Sequence, residues 1–311
     1  MEASRTDYFS LGEPKPDSMK LAVERRRATW LLIAPAFAVL LGLNLFPIVY
    51  ALYISCHYWM LARPQPPRFA GLSNYQELFF DARFRNSVLV SLKFIVLAVG
   101  IEMLLGFGLA FVFNTRLRGM ATLRKLTLLP SLVMPLVVGL VWFYMFNENF
   151  GIVNWFWVML GGTRVPFLTQ GALALLSIVA TDVWQWTPFV MLVFFAALQA
   201  LPEYVYEAAR IDGLSGSQIF FRVTLPLLRP AILIVLTIRA VDALRSLELV
   251  FMMTKGGPAG DTEVLPWYQY TTGFMSLDLG YAAAMAVLML ALVTILSQLF
   301  VRQLESREVT S

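Results

Sequence analysis

Long apolar runs alternate with short polar segments along this chain. A helix crosses the roughly 30 Å hydrocarbon core of a bilayer with about 20 predominantly apolar residues. Five runs of that length cover residues 28–55, 87–113, 126–146, 171–201 and 279–301. The pattern predicts an all-α integral membrane protein.

A sixth span is predicted over residues 230–252, although this segment carries four charged side chains from residue 239 onward. Six crossings place fifteen of the 24 Lys and Arg residues on the side that holds both termini, and six on the other side. The positive-inside rule then makes that first side cytoplasmic. The prediction is a transmembrane domain over 28–302 with cytoplasmic tails at 1–27 and 303–311 and a cytoplasmic loop at 202–229.

Composition supports a membrane setting and excludes several kinds of site. Hydrophobic residues make up 59% of the chain and charged residues only 14%, against about 25% charged in ordinary soluble domains. The net charge of +4 lies mostly in loops, which favours membrane topology over nucleic-acid binding. The single cysteine, Cys56, excludes an intrachain disulfide, and the single histidine, His57, leaves no Cys/His cluster for a metal. We therefore predict neither a metal site nor catalytic residues.

A shorter apolar stretch at residues 152–160 contains Trp155 and Trp157. Nine helical residues rise only about 14 Å, which is too short to cross the bilayer. Indole rings concentrate at the membrane–water interface. The stretch is predicted to be an interfacial helix on the outer face.

The loop at 202–229 has the signals of two short helices. Pro202 suits a first helical position, Glu203 the positive end of the helix dipole, and Gly213 a left-handed position after the last turn. Ser215 or Ser217 can cap a second helix. From these signals alone, the loop could equally be an ordinary amphipathic elbow or a docking element.

The order of residues in this loop resembles the EAA loop of permease subunits of binding-protein-dependent ABC importers. The matching positions are Glu207, Ala208, Ala209, Asp212, Gly213, Phe221, Leu225, Pro226 and Pro230. Leu214 and Val223 depart from the family, which more often has Ala and Ile there, but both remain apolar.

Three further stretches are similar to the carbohydrate-import branch of that family. They are Phe69-Ala70-Gly71-Leu72-Ser73-Asn74-Tyr75, Gly151-x-x-Asn154, and Lys255-Gly256-Gly257-Pro258 with Thr262. The last stretch, together with the length of 311 residues, favours the maltose-F-like or glycerol-phosphate-A-like permease over its usual partner.

The resemblance implies a type I ABC importer permease fold with a MetI-like core and six transmembrane helices, in a bacterial cytoplasmic membrane. It implies four partners besides membrane lipid: a second permease subunit, two cytoplasmic ATPases that bind ATP and Mg, and an external solute-binding protein. This chain would hold no cofactor, since it has no Gly-x-x-x-x-Gly-Lys-Ser/Thr phosphate loop. The residues implied to couple to the ATPase are Glu207, Ala208, Ala209, Asp212, Gly213, Leu225 and Pro226.

Polar residues inside the predicted spans are candidates for the solute pathway. A carboxylate at mid-span costs about 2.5–3.5 kcal/mol on insertion scales, so Glu102 either lines the pathway or makes a hydrogen bond between helices. Asp182, Trp184 and Gln185 lie in one turn with Trp186, which suits either a sugar contact or a Trp-rich helix contact.

Four charges in the fifth predicted span follow one another at every third position. They are Arg239, Asp242, Arg245 and Glu248. Neighbouring members can pair along one helix. We expect this ladder to be chiefly structural, with Arg239 and Asp242 as the pathway candidates.

Other classes of function are compatible with parts of the pattern. An ion-coupled secondary transporter could use the intramembrane carboxylates Glu102, Asp182 and Asp242. A channel or scaffold and an intramembrane enzyme have no specific motif in their favour. The solute stays open between a disaccharide, a longer oligosaccharide and glycerol phosphate.

Overall fold

The computed structural model describes residues 16–63, 65–115 and 118–308. Within these residues the regular structure is helical, apart from one short hairpin and an isolated bridge between Met60 and Asp278. The predicted fold class, an all-α membrane protein, is confirmed.

The elements are numbered in chain order. The helices are α1 (Pro16–Ser55), α2 (Ser73–Phe80), α3 (Ala82–Phe113), α4 (Met120–Thr127), α5 (Pro135–Met145), α6 (Ile152–Met159), α7 (Gly171–Gln199), α8 (Glu203–Ile211), α9 (Gly216–Ile219), α10 (Leu225–Leu227), α11 (Arg229–Leu244), α12 (Glu248–Met253), α13 (Leu265–Tyr270) and α14 (Leu279–Glu308). A 3₁₀ turn covers Leu129–Leu132, and π-helical turns cover Phe220–Thr224 and Thr271–Met275. The hairpin pairs β1 (His57–Tyr58) with β2 (Arg68–Phe69).

Four of these helices contain stretches long and apolar enough to cross a membrane. The stretches are Ile33–Ser55 of α1, all of α3, all of α7, and Leu279–Phe300 of α14. Two more crossings arise if each of two bent helix pairs counts as one span. Counted in this way, the described residues contain six candidate membrane spans.

Two predicted spans are not single helices. The segment 126–146 is divided before Pro135, where Met120–Leu132 meets α5 at 94°. Proline lacks an amide hydrogen and restricts the residue before it to extended backbone, and Met134 is indeed extended with ψ 130°. The segment 230–252 is divided as well, because α11 ends at Leu244 and α12 begins at Glu248.

The chain forms two units that divide after Tyr53. The first unit holds most of α1, and the apolar side chains of this helix are largely exposed. Leu43 and Phe46, for example, are 70% and 68% exposed. The part of this helix without charged residues, 28–55, has a surface that suits a lipid environment.

The second unit is built on α3 and α7, which pack against each other along most of their length. Phe94 and Ile178 belong to one buried cluster, and Val190 and Phe194 belong to another nearer the α8 end. At the second cluster, a Cβ atom added to Gly106 would lie 2.6 Å from Val190 Cγ1. The two helices therefore approach each other as closely as a glycine permits.

Polar side chains of the three resemblance motifs outside α8–α10 hold loops in place. Asn74 Nδ2 donates to the carbonyl oxygens of Ser55 and His57, at 2.8 and 3.0 Å. Asn154 exchanges two hydrogen bonds with the backbone of Val165, at 2.8 and 2.9 Å. Thr262 Oγ1 donates to the carbonyl of Gly257 at 2.6 Å. These motifs have a structural role in the chain.

Candidate functional site

A buried cluster of charges joins three helices at the middle of the second unit. Arg239 of α11 donates to Glu102 of α3 through Nε at 2.7 Å and through Nη2 at 3.0 Å. The same Nη2 donates to Asp182 Oδ2 of α7 at 2.9 Å. The exposed fractions of Glu102, Arg239 and Asp182 are only 0%, 1% and 2%. One guanidinium therefore serves two carboxylates away from solvent.

Two more side chains complete the surroundings of Arg239. Its Cζ atom lies 4.8 Å above the ring centre of Trp186, a cation–π contact. Asp242 Oδ2 lies 3.8 Å from Nη1, and this carboxylate is half exposed. Asp242 thus adds a peripheral charge to the buried cluster.

Of the expected ladder of ion pairs along one helix, only the Arg239–Asp242 pair is present among the described residues, at 3.8 Å. Arg239 pairs mainly across helices, with Glu102 and Asp182. Among the described residues, Arg245 forms no ion pair with Asp242 or Glu248, because the helix ends at Leu244 and the backbone changes direction. Of the two roles predicted for Glu102, the structure shows the hydrogen bond between helices.

An open cleft of about 270 Å³ lies beside this cluster. It is lined by Pro135, Asp182, Gln185, Trp186, Arg239, Asp242, Arg245, Ser246, Glu248 and Leu249. These residues come from α5, α7, α11 and α12 and from the break between the last two helices. The cleft therefore lies at the two breaks that hydropathy did not predict, one before α5 and one between α11 and α12.

Gln185 connects the cleft to the bend before α5. Its Nε2 donates to the carbonyl oxygen of Val133 at 2.9 Å, in the extended segment between the 3₁₀ turn and α5. Its Oε1 is buried and has no hydrogen-bond partner among the described residues. A buried acceptor without a partner lowers the stability of the fold by about 1–3 kcal/mol. A donor group that reached Gln185 Oε1 would remove this cost, so the atom can accept one more hydrogen bond.

The structure separates Trp184 from the other pathway candidates. Glu102, Asp182, Gln185, Arg239 and Asp242 lie in or next to the cluster and cleft. Trp184 is 44% exposed and packs edge-on against Trp142. The indole at the cleft belongs to Trp186 instead.

Six residues of the cleft were not among the pathway candidates: Pro135, Trp186, Arg245, Ser246, Glu248 and Leu249. The charges of Arg245 and Glu248 were visible in an otherwise apolar segment, but they were interpreted as pairing within one helix.

A second candidate region is the elbow formed by α8, α9, the π-helical turn and α10. Pro202 precedes α8 as its N-cap residue, one position earlier than predicted, and Glu203 lies in the first turn. After α8, Gly213 has φ +76° and its amide donates to Arg210, while the amide of Leu214 donates to Ala209. This pair of bonds is a Schellman motif.

The second helix of the elbow begins at Ser215, one of the two predicted caps. Ser215 Oγ accepts from the Gln218 amide, and Gln218 Oε1 accepts from the Ser215 amide. This reciprocal capping box fixes the start of α9. Tyr206 and Thr224 share a hydrogen bond of 3.2 Å that ties α8 to the π-helical turn.

The elbow presents both charged and apolar side chains to its surroundings. Glu207, Ala208, Asp212, Gly213 and Pro226 are exposed, Leu225 is half-buried, and Ala209 is buried. Ile211 and Phe221 are 86% and 64% exposed. The elbow therefore combines exposed carboxylates and small residues with two exposed large apolar side chains.

At the start of α3, Asp81 organises contacts between three elements. Its carboxylate accepts from the Arg83 amide at 2.8 Å and from the hydroxyls of Tyr268 and Tyr281, at 2.5 and 2.9 Å. Burial alone would raise the pKa of Asp81, but these hydrogen bonds outweigh it and hold the pKa below its ordinary value. Burial and the bond to Asp81 raise the pKa of Tyr268. Arg83, stacked on Tyr268, also makes a bidentate pair with Glu263.

No group of three His, Cys, Asp or Glu side chains among the described residues is arranged to hold a metal ion.

The sequence matches a known protein family over most of its length. Residues 102–309 match the family described as binding-protein-dependent transport system inner membrane component. The chain is 35% identical to the trehalose/maltose transport system permease protein MalF of Thermococcus litoralis, across 88% of this chain and 92% of that protein. It is 33% identical to the sn-glycerol-3-phosphate transport system permease protein UgpA of Agrobacterium fabrum, across 89% and 94%.

The fold also matches that of a solved transporter. A chain in the crystal structure of a bacterial alginate ABC transporter, in complex with an alginate pentasaccharide-bound periplasmic protein, superposes with a TM-score of 0.78. The match covers 93% of this chain and 97% of that one at 20% sequence identity. With the family match, these likenesses show that this chain belongs to the family of inner membrane components of binding-protein-dependent transport systems.

Proposed function

We propose that this chain is the permease subunit of an ATP-driven importer for a sugar or sugar-like solute, and that it forms half of the translocation pathway. The exposed, capped elbow of α8–α10 carries the proposal, because it is a ready docking surface at one end of the helical unit. The relatives described as trehalose/maltose and glycerol-phosphate permeases support the solute class.

The elbow is the proposed contact with a cytoplasmic ATPase. Glu207 and Asp212 offer carboxylates to basic groups of that partner, and Ala208 permits a close approach. Ala209 is buried inside the elbow, Gly213 ends α8 with a left-handed backbone, and Leu225 and Pro226 lie where the chain turns toward α11. Movement of the ATPases would reach α11, and with it Arg239, through this elbow.

The remaining subunits are proposed from the same family membership. A second permease would complete the pathway, two ATPases would bind ATP and Mg, and an external solute-binding protein would deliver the solute. This chain would hydrolyse no ATP and hold no cofactor of its own. Both termini would lie in the cytoplasm, in keeping with the distribution of basic residues.

No finding supports the ion-coupled secondary transporter. Glu102 and Asp182 are both bonded to Arg239, and the family match is to binding-protein-dependent systems. A carboxylate held by a guanidinium is a poor carrier for a proton or sodium ion.

A charge reversal on the elbow tests the proposal. Glu207→Arg should abolish co-purification of the ATPase and ATP-dependent sugar uptake in vesicles. Glu148→Arg is the matched control, since Glu148 is also exposed but lies between α5 and α6, away from the elbow. ATP-independent uptake by the wild-type complex, or normal ATPase binding by Glu207→Arg, would contradict the proposed function.

A further inference from the structure

One exposed sector of α3 combines apolar residues with two cations. Leu89, Leu92 and Val96 are 50%, 56% and 63% exposed, and Arg85 and Lys93 are exposed as well. With 3.6 residues per turn, these five positions fall within about 100° of the helix circumference. The buried residues in this part of α3 lie outside that sector. The sector therefore faces away from the core of the second unit.

The length of α3 places Lys93 at the edge of the hydrocarbon layer. Lys93 precedes Phe113, the last residue of α3, by twenty positions, a rise of about 30 Å that equals the thickness of the layer. Polar Asn114 follows Phe113 and marks the opposite edge. Arg85 lies eight positions before Lys93, about 12 Å further out. Because side chains on a helix lean toward its N-terminus, Lys93 reaches into the headgroup layer.

An open pocket of about 610 Å³ lies outward of Lys93 on the same face of α3. Asn86 lines the pocket and precedes Lys93 by seven positions, so the two side chains point in nearly the same direction. Exposed Lys255 lines the pocket too. The carboxylate of Glu263, also in the lining, is held by Arg83 at 2.7 and 2.9 Å. The pocket therefore has a positive balance.

The three cations at this level have no carboxylate of their own. Arg85, Lys93 and Lys255 form no ion pair among the described residues. A lysine at the hydrocarbon edge extends toward a polar group in the headgroup layer. The phosphate of a phospholipid lies in that layer, and its acyl chains can cover the apolar part of the sector.

We propose that this surface binds an anionic phospholipid. The phosphate lies among Arg85, Lys93 and Lys255, the rest of the headgroup occupies the 610 Å³ pocket, and one acyl chain runs along Leu92 and Val96. A headgroup with its own ammonium group would bring a further positive charge among these cations. Phosphatidylglycerol is therefore preferred to phosphatidylcholine. The proposal goes beyond the importer function and does not depend on the solute.

Quenching of a fluorophore by brominated lipids tests the site. Cys56→Ser removes the single native cysteine, and Val96→Cys carries a bimane label on the apolar part of the sector. The complete transporter is placed in phosphatidylcholine vesicles that contain rising fractions of brominated phosphatidylglycerol or brominated phosphatidylcholine. Bromine quenches the label only when its acyl chain lies against Val96→Cys, so the two curves give the relative affinity of the lipids.

Brominated phosphatidylglycerol should quench at a lower fraction than brominated phosphatidylcholine. A basic side chain at an anionic lipid surface strengthens binding about fivefold. Lys93→Met and Lys255→Gln should therefore each lower the preference for phosphatidylglycerol about fivefold. Arg164→Gln is the matched control, because Arg164 is also an exposed cation but lies in the loop after α6. It should leave the preference unchanged.

Three results would overturn the proposal. Equal quenching by the two lipids would show that the cations do not select a headgroup. Absence of quenching by either lipid would show that protein, for example a second permease, covers this sector. Loss of the preference on addition of water-soluble sn-glycerol 3-phosphate would show that the pocket takes a free anion instead of a lipid.

Discussion

Arg239 and Glu102 form a bidentate ion pair inside the helical unit, with donor–acceptor distances of 2.7 and 3.0 Å. They lie 137 positions apart in the sequence, on α11 and α3. The second carboxylate on the same guanidinium, Asp182, adds α7 to the contact. The pair therefore fixes the relative positions of three helices that the chain reaches at widely separated points.

Removal of the guanidinium should destabilise the protein strongly. Arg239→Met leaves two buried carboxylates without their donor, and breaking a buried pair from one side costs about 3–5 kcal/mol. Thermal unfolding in detergent measures the loss. Neutralising both partners in that background, with Glu102→Gln and Asp182→Asn, should recover much of it.

The peripheral carboxylate of Asp242 provides the control for this experiment. It lies 3.8 Å from Arg239 and is 49% exposed, so Asp242→Asn should cost no more than about 1 kcal/mol. Equal stability of Arg239→Met and wild type would show that the buried cluster does not hold the helices together.

The close approach of α3 and α7 predicts opposite outcomes for two neighbouring glycines. Gly106→Ala brings a methyl group against Val190, and overpacking typically costs about 1–3 kcal/mol. Gly108→Ala meets nothing within 4 Å, so it should be neutral or stabilise by up to about 1 kcal/mol. The midpoints of thermal unfolding of the two variants measure this difference. An unchanged midpoint for Gly106→Ala would contradict the close contact between α3 and α7.

The turn after α8 depends on the left-handed backbone of Gly213. Gly213→Ala should destabilise the end of α8 by about 1–2 kcal/mol, because a Cβ atom disfavours a φ of +76°. Faster hydrogen exchange of the α8 amides would report the loss.

Gly216, three residues on, is the matched control for this turn. It lies in the first turn of α9 with open space around it, so Gly216→Ala should leave exchange unchanged or slower. Unchanged exchange in Gly213→Ala would mean that the Schellman motif does not stabilise the elbow.

Asp81 should make stability depend on pH in the acid range. Its folded-state pKa lies below the ordinary value of about 3.9. The stabilisation it provides is therefore complete above that value and is lost as the pH falls through the folded-state pKa. The difference in stability between wild type and Asp81→Asn should be largest near neutral pH and should shrink in acid.

Thermal unfolding temperatures measured in detergent at a series of pH values check the direction of this pH dependence. Tyr281→Phe removes one of the two hydroxyl donors to Asp81, so it should weaken the dependence without abolishing it. A difference that stays constant from about pH 6 to about pH 3 would exclude Asp81 as its source.

Hydropathy predicted the apolar segments because each contains enough apolar residues to cross a bilayer. It did not predict the interruptions within two of them. A sum of hydropathy over residues carries no information on direction, so it did not predict the 94° bend before Pro135. The capped elbow was predictable because Gly213 and Ser215 act on neighbours within a few positions.

The buried cluster was not predictable in the same way. Within a helix, the partners of Arg239 can be listed from spacing alone, and this favoured Asp242. Asp242 does lie 3.8 Å from Arg239, but the two hydrogen-bonded partners are 57 and 137 positions away, and only the packing of α3, α7 and α11 brings them together. Trp184 and Trp186 likewise differ only in which side of α7 they occupy, and spacing does not say which side faces the cleft.

The interruption between Leu244 and Glu248 divides the predicted span 230–252 into two separate helices. Irregular backbone at membrane depth is tolerated where it is enclosed by protein or borders a water-filled space, not where it meets hydrocarbon tails. Arg245, exposed in this interruption, has no acidic side chain within 4 Å among the described residues. In the proposed importer we therefore expect water to reach Arg245, so that a solute passing this interruption would exchange bulk water for ordered water and would avoid contact with lipid.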